Sequence, residues 1–186
     1  MSINYNQIFN IWLTVPRLSD CVVPQYLEGR LLDNVKINIM KKIYIIEDDA
    51  IVRKLLISHI AEFIPGHEVV GSNDDGMVAM QECLKLQPDM IIVDIRLPEV
   101  NGLEILHILK NKIPHLKVLI YSGIADKNTI EIAVRGDTDG YVLKTSGFQE
   151  LVKAVKSIVA GGSYFSPDIY KLGLTNNPNS TSYSYG

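Results

Sequence analysis

Cysteine is nearly absent from this chain. Cys21 and Cys83 are the only two in 186 residues, with neither CxxC spacing nor a disulfide-dense context, so a cystine framework is excluded and a reduced, cytoplasmic compartment is the simple reading. No apolar run is long enough to span a bilayer, so no membrane partner is expected. Neither sign of charge dominates: 18 Lys and Arg stand against 21 Asp and Glu, for a formal net charge of -3. No basic stripe that could neutralise phosphates appears, which disfavours direct nucleic-acid binding by this chain. His59, His67, His107 and His115 show no ligand spacing and receive no role. What remains is a chain of 47% apolar content, enough for one globular domain plus some extra length.

The extra length lies at the start. Residues 1–39 mix Asn and Ile with scattered Pro, and their best apolar run, Ile8 to Val15, is closed by Pro16. The first basic residue, Arg17, follows that run instead of preceding it, which argues against a secretory signal. The preferred reading is an upstream extension or start-site artefact with little fixed structure; the rival is a docking segment using Phe9, Trp12 and Tyr26.

From Met40-Lys41-Lys42 onward the pattern alternates strand and helix. Ile43–Ile46, Glu68–Ser72, Met90–Val93, Leu116–Tyr121 and Gly140–Leu143 read as short buried strands. Between and after them, residues 50–63, 74–86, 103–109, 127–135 and 148–160 carry apolar positions at helical spacing, stopped by Pro65-Gly66, Pro88, Pro114 and Gly161-Gly162. Five βα units of this size build a doubly wound five-stranded parallel sheet with five helices, the flavodoxin-like order being 2-1-3-4-5.

The chemistry sits at the strand tips. Strand one ends in Glu47-Asp48-Asp49, strand three in Asp94, strand four in Ser122 and strand five in Lys144. In a sheet whose order reverses beside strand one, the first and third tips flank the crevice where ligands bind. Carboxylates crowded there repel one another unless a cation is present. An oxygen-rich, partly hydrated site suits Mg²⁺, which takes one or two carboxylates plus a phosphoryl oxygen. Lys144 and the Ser122 hydroxyl are donors that phosphoryl oxygens require. The expected chemistry is Mg²⁺-dependent attack of Asp94 on a phosphoryl donor, giving an aspartyl phosphate.

The segments IYIIEDDAIVRKLL, DMIIVDIRLPEVNGLEIL, VLIYSG and DGYVLK, in this order and spacing, resemble a response-regulator receiver domain over roughly residues 40–162. The resemblance implies that Asp94 is the phosphoacceptor and that Asp48 ligates Mg²⁺ directly. It implies that Glu47 acts mostly through water and that Arg96 contributes its backbone carbonyl. Ser122 takes the place of the switch hydroxyl, Tyr141 of the rotating aromatic and Lys144 of the lysine on the phosphoryl group. The implied donor is a sensor histidine kinase or phosphotransfer protein, and the implied output is an effector bound through the fourth helix, fifth strand and fifth helix. Homodimerisation through the fourth and fifth helices is allowed, not demanded. Differential stabilisation of about 5 kcal/mol would suffice for a swing from mostly inactive to mostly active.

Blander readings stand beside these. Glu47-Asp48-Asp49 could be a cluster at a helix amino terminus, a role that fits Asp49 better than a metal role. Asp94 could cap a loop, Lys144 could be a solvated edge charge, and Tyr141 a core aromatic with its hydroxyl at the surface. Arg96 stands where phosphohydrolases working through an aspartyl phosphate want a second acid, so an enzyme is not expected beyond slow self-phosphorylation and dephosphorylation. The alternatives to phosphoacceptance are a phosphorylation-independent interaction module and the remnant of a LuxR-type regulator.

The pattern departs from the family's in three places. Asp137 stands where glycine is usual before the fifth strand, a position expected to need positive φ. Gly123 follows Ser122 where alanine is usual, which should leave access open. Thr145 replaces a common proline and, with GFQELVKAVKSIVAGGSYFSPDIY, resembles receivers that precede a LuxR-type DNA-binding domain, here missing. Ser166-Pro167-Asp168 reads as a helix start with Ser166 as its cap. The polar tail after Gly173 is too polar to pack.

Overall fold

A computed structural model describes residues 41–136 and 138–172. The expectations for the leader, for Asp137 and for the tail beyond Leu172 lie outside the described residues.

The strands are β1 (Lys41–Ile46), β2 (His67–Asn73), β3 (Met90–Val93), β4 (Lys117–Ser122), β5 (Gly140–Leu143) and β6 (Tyr164–Phe165). The helices are α1 (Ala50–Phe63), α2 (Gly76–Leu86), α3 (Gly102–Lys112), α4 (Lys127–Arg135), α5 (Phe148–Val159) and α6 (Pro167–Lys171). All sheet pairings are parallel, in the order β2-β1-β3-β4-β5-β6. The order reverses at β1 and β3, so the crevice lies where expected.

The period-two alternation of the strands builds two cores. Tyr44, Ile46, Ile91, Val93, Val118, Ile120, Tyr141 and Leu143 face the layer of α2, α3, α4 and α6. Ile43, Ile45, Met90, Ile92, Leu119, Tyr121 and Val142 face α1 and α5. Burial on both faces is what the continuous apolar runs required. Asp49, Asp75, Asn101 and Asp126 cap α1 to α4 by accepting backbone N–H bonds in the first turn. Among the described residues no helix is long and apolar enough to cross a membrane.

The expected count of five strands is corrected to six among the described residues, while the short helix expected after Ser166 is present as α6. Tyr164 N–H donates to Asp139 O at 3.0 Å and Ser166 N–H to Tyr141 O at 2.9 Å, so the segment after α5 lies along the β5 edge. A two-residue strand has no periodicity to read, and its pairing is made by backbone alone. Ser166 does open α6, but its hydroxyl makes no bond to the helix amides. That oxygen accepts from Leu143 N–H at 3.4 Å, one position past the last β5–β6 pair.

Candidate functional site

Asp94 leaves the end of β3, tied down by its own amide, which donates to Ile46 O at 2.9 Å. Its side chain is buried and both oxygens are engaged. Oδ1 accepts from the Ser122 hydroxyl at 2.6 Å and from Arg96 N–H at 3.1 Å, and Oδ2 accepts from Lys144 Nζ at 2.6 Å. The same ammonium donates to Glu47 Oε1 at 2.8 Å, joining the tips of β1, β3 and β5. Gly102 lets the chain turn back this closely, since a Cβ there would strike the Asp94 carbonyl and come within 2.9 Å of Ile95 Cα.

Glu47 is buried, Asp48 exposed, and a carboxylate oxygen from each lies within 4.8 Å of one on Asp94. Burial pushes the Glu47 carboxyl above its usual range, opposed by Lys144 and reinforced by Asp94. For Lys144 burial works against the charge, but the bonds to Asp94 and Glu47 outweigh it and hold the ammonium above its usual value. Three carboxylates face one ammonium. Hard oxygen donors, partly open to water at Asp48, fit Mg²⁺ rather than a softer metal.

Asp49 is not part of this group. It caps α1, accepting from Ile51 and Val52 N–H at 2.7 and 3.1 Å, which holds its carboxyl below the usual range. Tyr141 does not touch Asp94 either. Its ring is fully buried on the α4 side, and its hydroxyl donates to Ile124 O at 2.8 Å. Ile124 N–H in turn donates to the Ser122 hydroxyl at 3.4 Å, so Ser122 and Ile124 stand between Tyr141 and the carboxylate. Arg96 is exposed and reaches the site through its backbone, which also bridges to Asn101. A Cβ at Gly123 would meet nothing within 4 Å.

Two residues escaped the reading of the sequence. Arg53 donates to the Glu47 and Asp48 carbonyls at 2.6 and 3.4 Å and pairs with Asp74 at 3.1 Å, bracing the β1 tip from outside. A cation in the first turns of a helix opposes the dipole, and that mismatch was its signal. Asp139 lies at the other end of the sheet, beside the starts of β4 and β5, and holds Lys110, Lys117 and Val118 N–H.

Residues 43–156 match the family model of the response regulator receiver domain. The chain belongs to that family. The receiver is 34% identical over 128 residues to the transcriptional regulatory protein DegU of Brevibacillus brevis, covering 69% of this chain and 54% of that one. It is 29% identical over 130 residues to the response regulator GacA of Pseudomonas aeruginosa, covering 70% and 60%. Among solved structures, a LuxR-family two-component response regulator from Aurantimonas sp. SI85-9A1 superposes with a TM-score of 0.66 at 29% identity, covering 71% of this chain and 94% of that one. The chain thus spans little more than half the length of the curated relatives it matches. The relatives it matches include LuxR-family two-component response regulators.

Proposed function

We propose that this receiver accepts a phosphoryl group on Asp94 from the phosphohistidine of a histidine kinase or phosphotransfer protein. The observation that carries the reading is the state of Asp94: a buried carboxylate on a strand tip, with donors on both oxygens and two more carboxylates beside it. In the transfer one Asp94 oxygen forms an O–P bond while the P–N bond to the donor imidazole breaks, and the imidazole nitrogen keeps the electron pair.

Asp48 and Asp94, the Arg96 carbonyl and, through water, Glu47 would hold Mg²⁺, which supplies positive charge against the phosphoryl oxygens. Lys144 pairs with Asp94 at rest and then donates to the new phosphoryl oxygens. Arg96 N–H fixes the orientation of Oδ1, and the Lys144 ammonium holds Oδ2. The Ser122 hydroxyl passes from the carboxylate to the dianion, which holds the Ile124 carbonyl and the inward Tyr141 in place. The surface of α4, β5 and α5 reports the change to an effector, by heterodimeric contact or by pairing with a second receiver. With an arginine at position 96 no carboxylic acid stands ready to hasten hydrolysis, so the phosphoryl group is lost slowly and the protein acts as a signal carrier, not an enzyme.

The test is intact-protein mass after incubation with acetyl phosphate, with and without Mg²⁺, on the native chain and on Asp94→Asn. One Mg²⁺-dependent phosphoryl group that vanishes in the variant is expected. No gain by a folded protein under any condition would overturn the reading and leave a phosphorylation-independent docking module.

A further inference from the structure

We propose that residues 164–172 are a built-in occupant of the α4 side of the partner surface, and that the state of Asp94 sets how firmly they dock. The partner surface and the response to phosphorylation rest on the proposed function; the docking of the segment and its coupling to Ser122 do not.

The segment fills the β5 edge in three ways. Its backbone supplies N–H groups to Asp139 O and Tyr141 O, and the buried Ser166 oxygen takes up Leu143 N–H where the ladder stops. Its side chains close the core over the aromatic: Phe165 and Ile169 are buried in one cluster with Tyr141, Ile130 and Ala133, joined by Tyr170 and Leu172. The receiving strand is shaped for it, because a Cβ at Gly140 would come within 2.5 Å of Tyr164 O. An effector using this side must therefore offer what the segment offers: an N–H for Tyr141 O, an acceptor for Leu143 N–H and apolar side chains over Tyr141. It must also displace the segment.

The segment is joined to Asp94 by four hydrogen bonds relayed through Ser122, Ile124 and Tyr141. Asp94 Oδ1 meets Ser122 Oγ at 2.6 Å, Ser122 Oγ meets Ile124 N–H at 3.4 Å, Ile124 O meets the Tyr141 hydroxyl at 2.8 Å, and Tyr141 O meets Ser166 N–H at 2.9 Å. With Tyr141 turned inward its ring is fully covered. Turning it outward would break its bond to Ile124 and disturb the packing of Phe165 and Ile169. A two-residue ladder and a five-residue helix form an element that can open without unfolding the domain. A dianion at Asp94 holds Ser122, hence Ile124, hence the inward Tyr141, and so favours the docked segment.

Amide hydrogen exchange on the full chain tests this, read by mass spectrometry over residues 164–172 with the β1 and β3 peptides as internal controls. In the unmodified protein, Ser122→Ala should speed exchange of the segment by about fivefold or more, the lower range of coupling between sites, with Ser122→Thr restoring it and the controls unmoved. Phosphorylated protein, verified by intact mass, should exchange more slowly there than unmodified protein. Unchanged exchange of the segment in Ser122→Ala, or in protein shown to carry the phosphoryl group, would overturn the proposal. Failure to take up phosphoryl counts against the phosphoacceptor reading alone, since the Ser122→Ala comparison still decides this one.

Discussion

The two ends of the sheet hold one aspartate each, Asp94 buried and Asp139 half-buried, built from similar parts and balanced in opposite ways. At the β3 tip Asp94 is bound by one ammonium, one hydroxyl and one backbone N–H, with Glu47 and Asp48 adding negative charge beside it. At the start of β5 Asp139 is bound by two ammonium groups, Lys110 at 3.0 Å and Lys117 at 2.8 Å, and by Val118 N–H at 2.9 Å. One carboxylate is left short of positive charge, and the other has more than it needs. A site with excess negative charge has room for a cation and a phosphoryl group; a neutralised one can only hold elements together.

The largest contrast comes from removing each charge. Asp94→Asn should abolish Mg²⁺-dependent phosphoryl uptake, yet change stability by less than about 1 kcal/mol, because Lys144 keeps Glu47 at 2.8 Å and one crowded carboxylate is gone. Asp139→Asn should retain uptake wherever the protein is folded but lose about 2 kcal/mol, since two lysines lose their partner and a strand N–H its charged acceptor. Urea denaturation alongside intact-mass labelling checks both. Equal stability losses would mean that the charge imbalance does not separate the two ends.

The Asp94 end was legible because its parts are unusual residues in a regular frame. Charged residues at the ends of apolar runs stand out, and β–α alternation puts Glu47, Asp48, Asp94, Ser122 and Lys144 on one rim. The other end was illegible for the converse reason. Asp139 sits in TDG, which reads as a turn, and its lysines lie on α3 and β4, 29 and 22 residues away in the chain. β6 was missed because two residues show no period, and the destination of the Ser166 hydroxyl because a cap and a sheet contact have the same local sequence. The burial of Tyr141 depends on Phe165 and Ile169 packing from beyond the expected end of the domain.

Removing a cation from each end is the next test in size. Lys144→Met leaves Glu47 and Asp94 facing each other without compensation, a loss of about 2 kcal/mol. Millimolar Mg²⁺ should restore part of it by binding the folded state, about 1.4 kcal/mol at ten times the dissociation constant. Lys110→Met should cost about 1 kcal/mol or less, because Lys117 and Val118 still serve Asp139, and Mg²⁺ should restore none of it. Thermal melts with and without Mg²⁺ distinguish the two. Equal rescue of both variants would show that the ion stabilises the protein without using the acidic cluster.

The smallest effect is in the acid limb. Burial works to raise the Asp139 carboxyl, but Lys117, Val118 N–H and Lys110 outweigh it and hold it below the usual 3.8. Below that value the unfolded chain binds a proton that the folded protein still refuses, so stability rises with pH across the interval. The contribution is complete above the ordinary carboxylate value and is lost as pH falls through the folded one. Wild type should therefore lose stability toward acid more steeply than Asp139→Asn. The difference in slope should stay below the ~1.4 kcal/mol per pH unit of one fully linked proton, because Lys117 is substantially exposed and the pair is screened. Parallel acid limbs from urea midpoints at several pH values would remove Asp139 as a lock on the β4 and β5 starts. A steeper wild-type limb that persists in high salt would assign the linkage to the Val118 hydrogen bond more than to the lysines, since salt screens exposed ion pairs first.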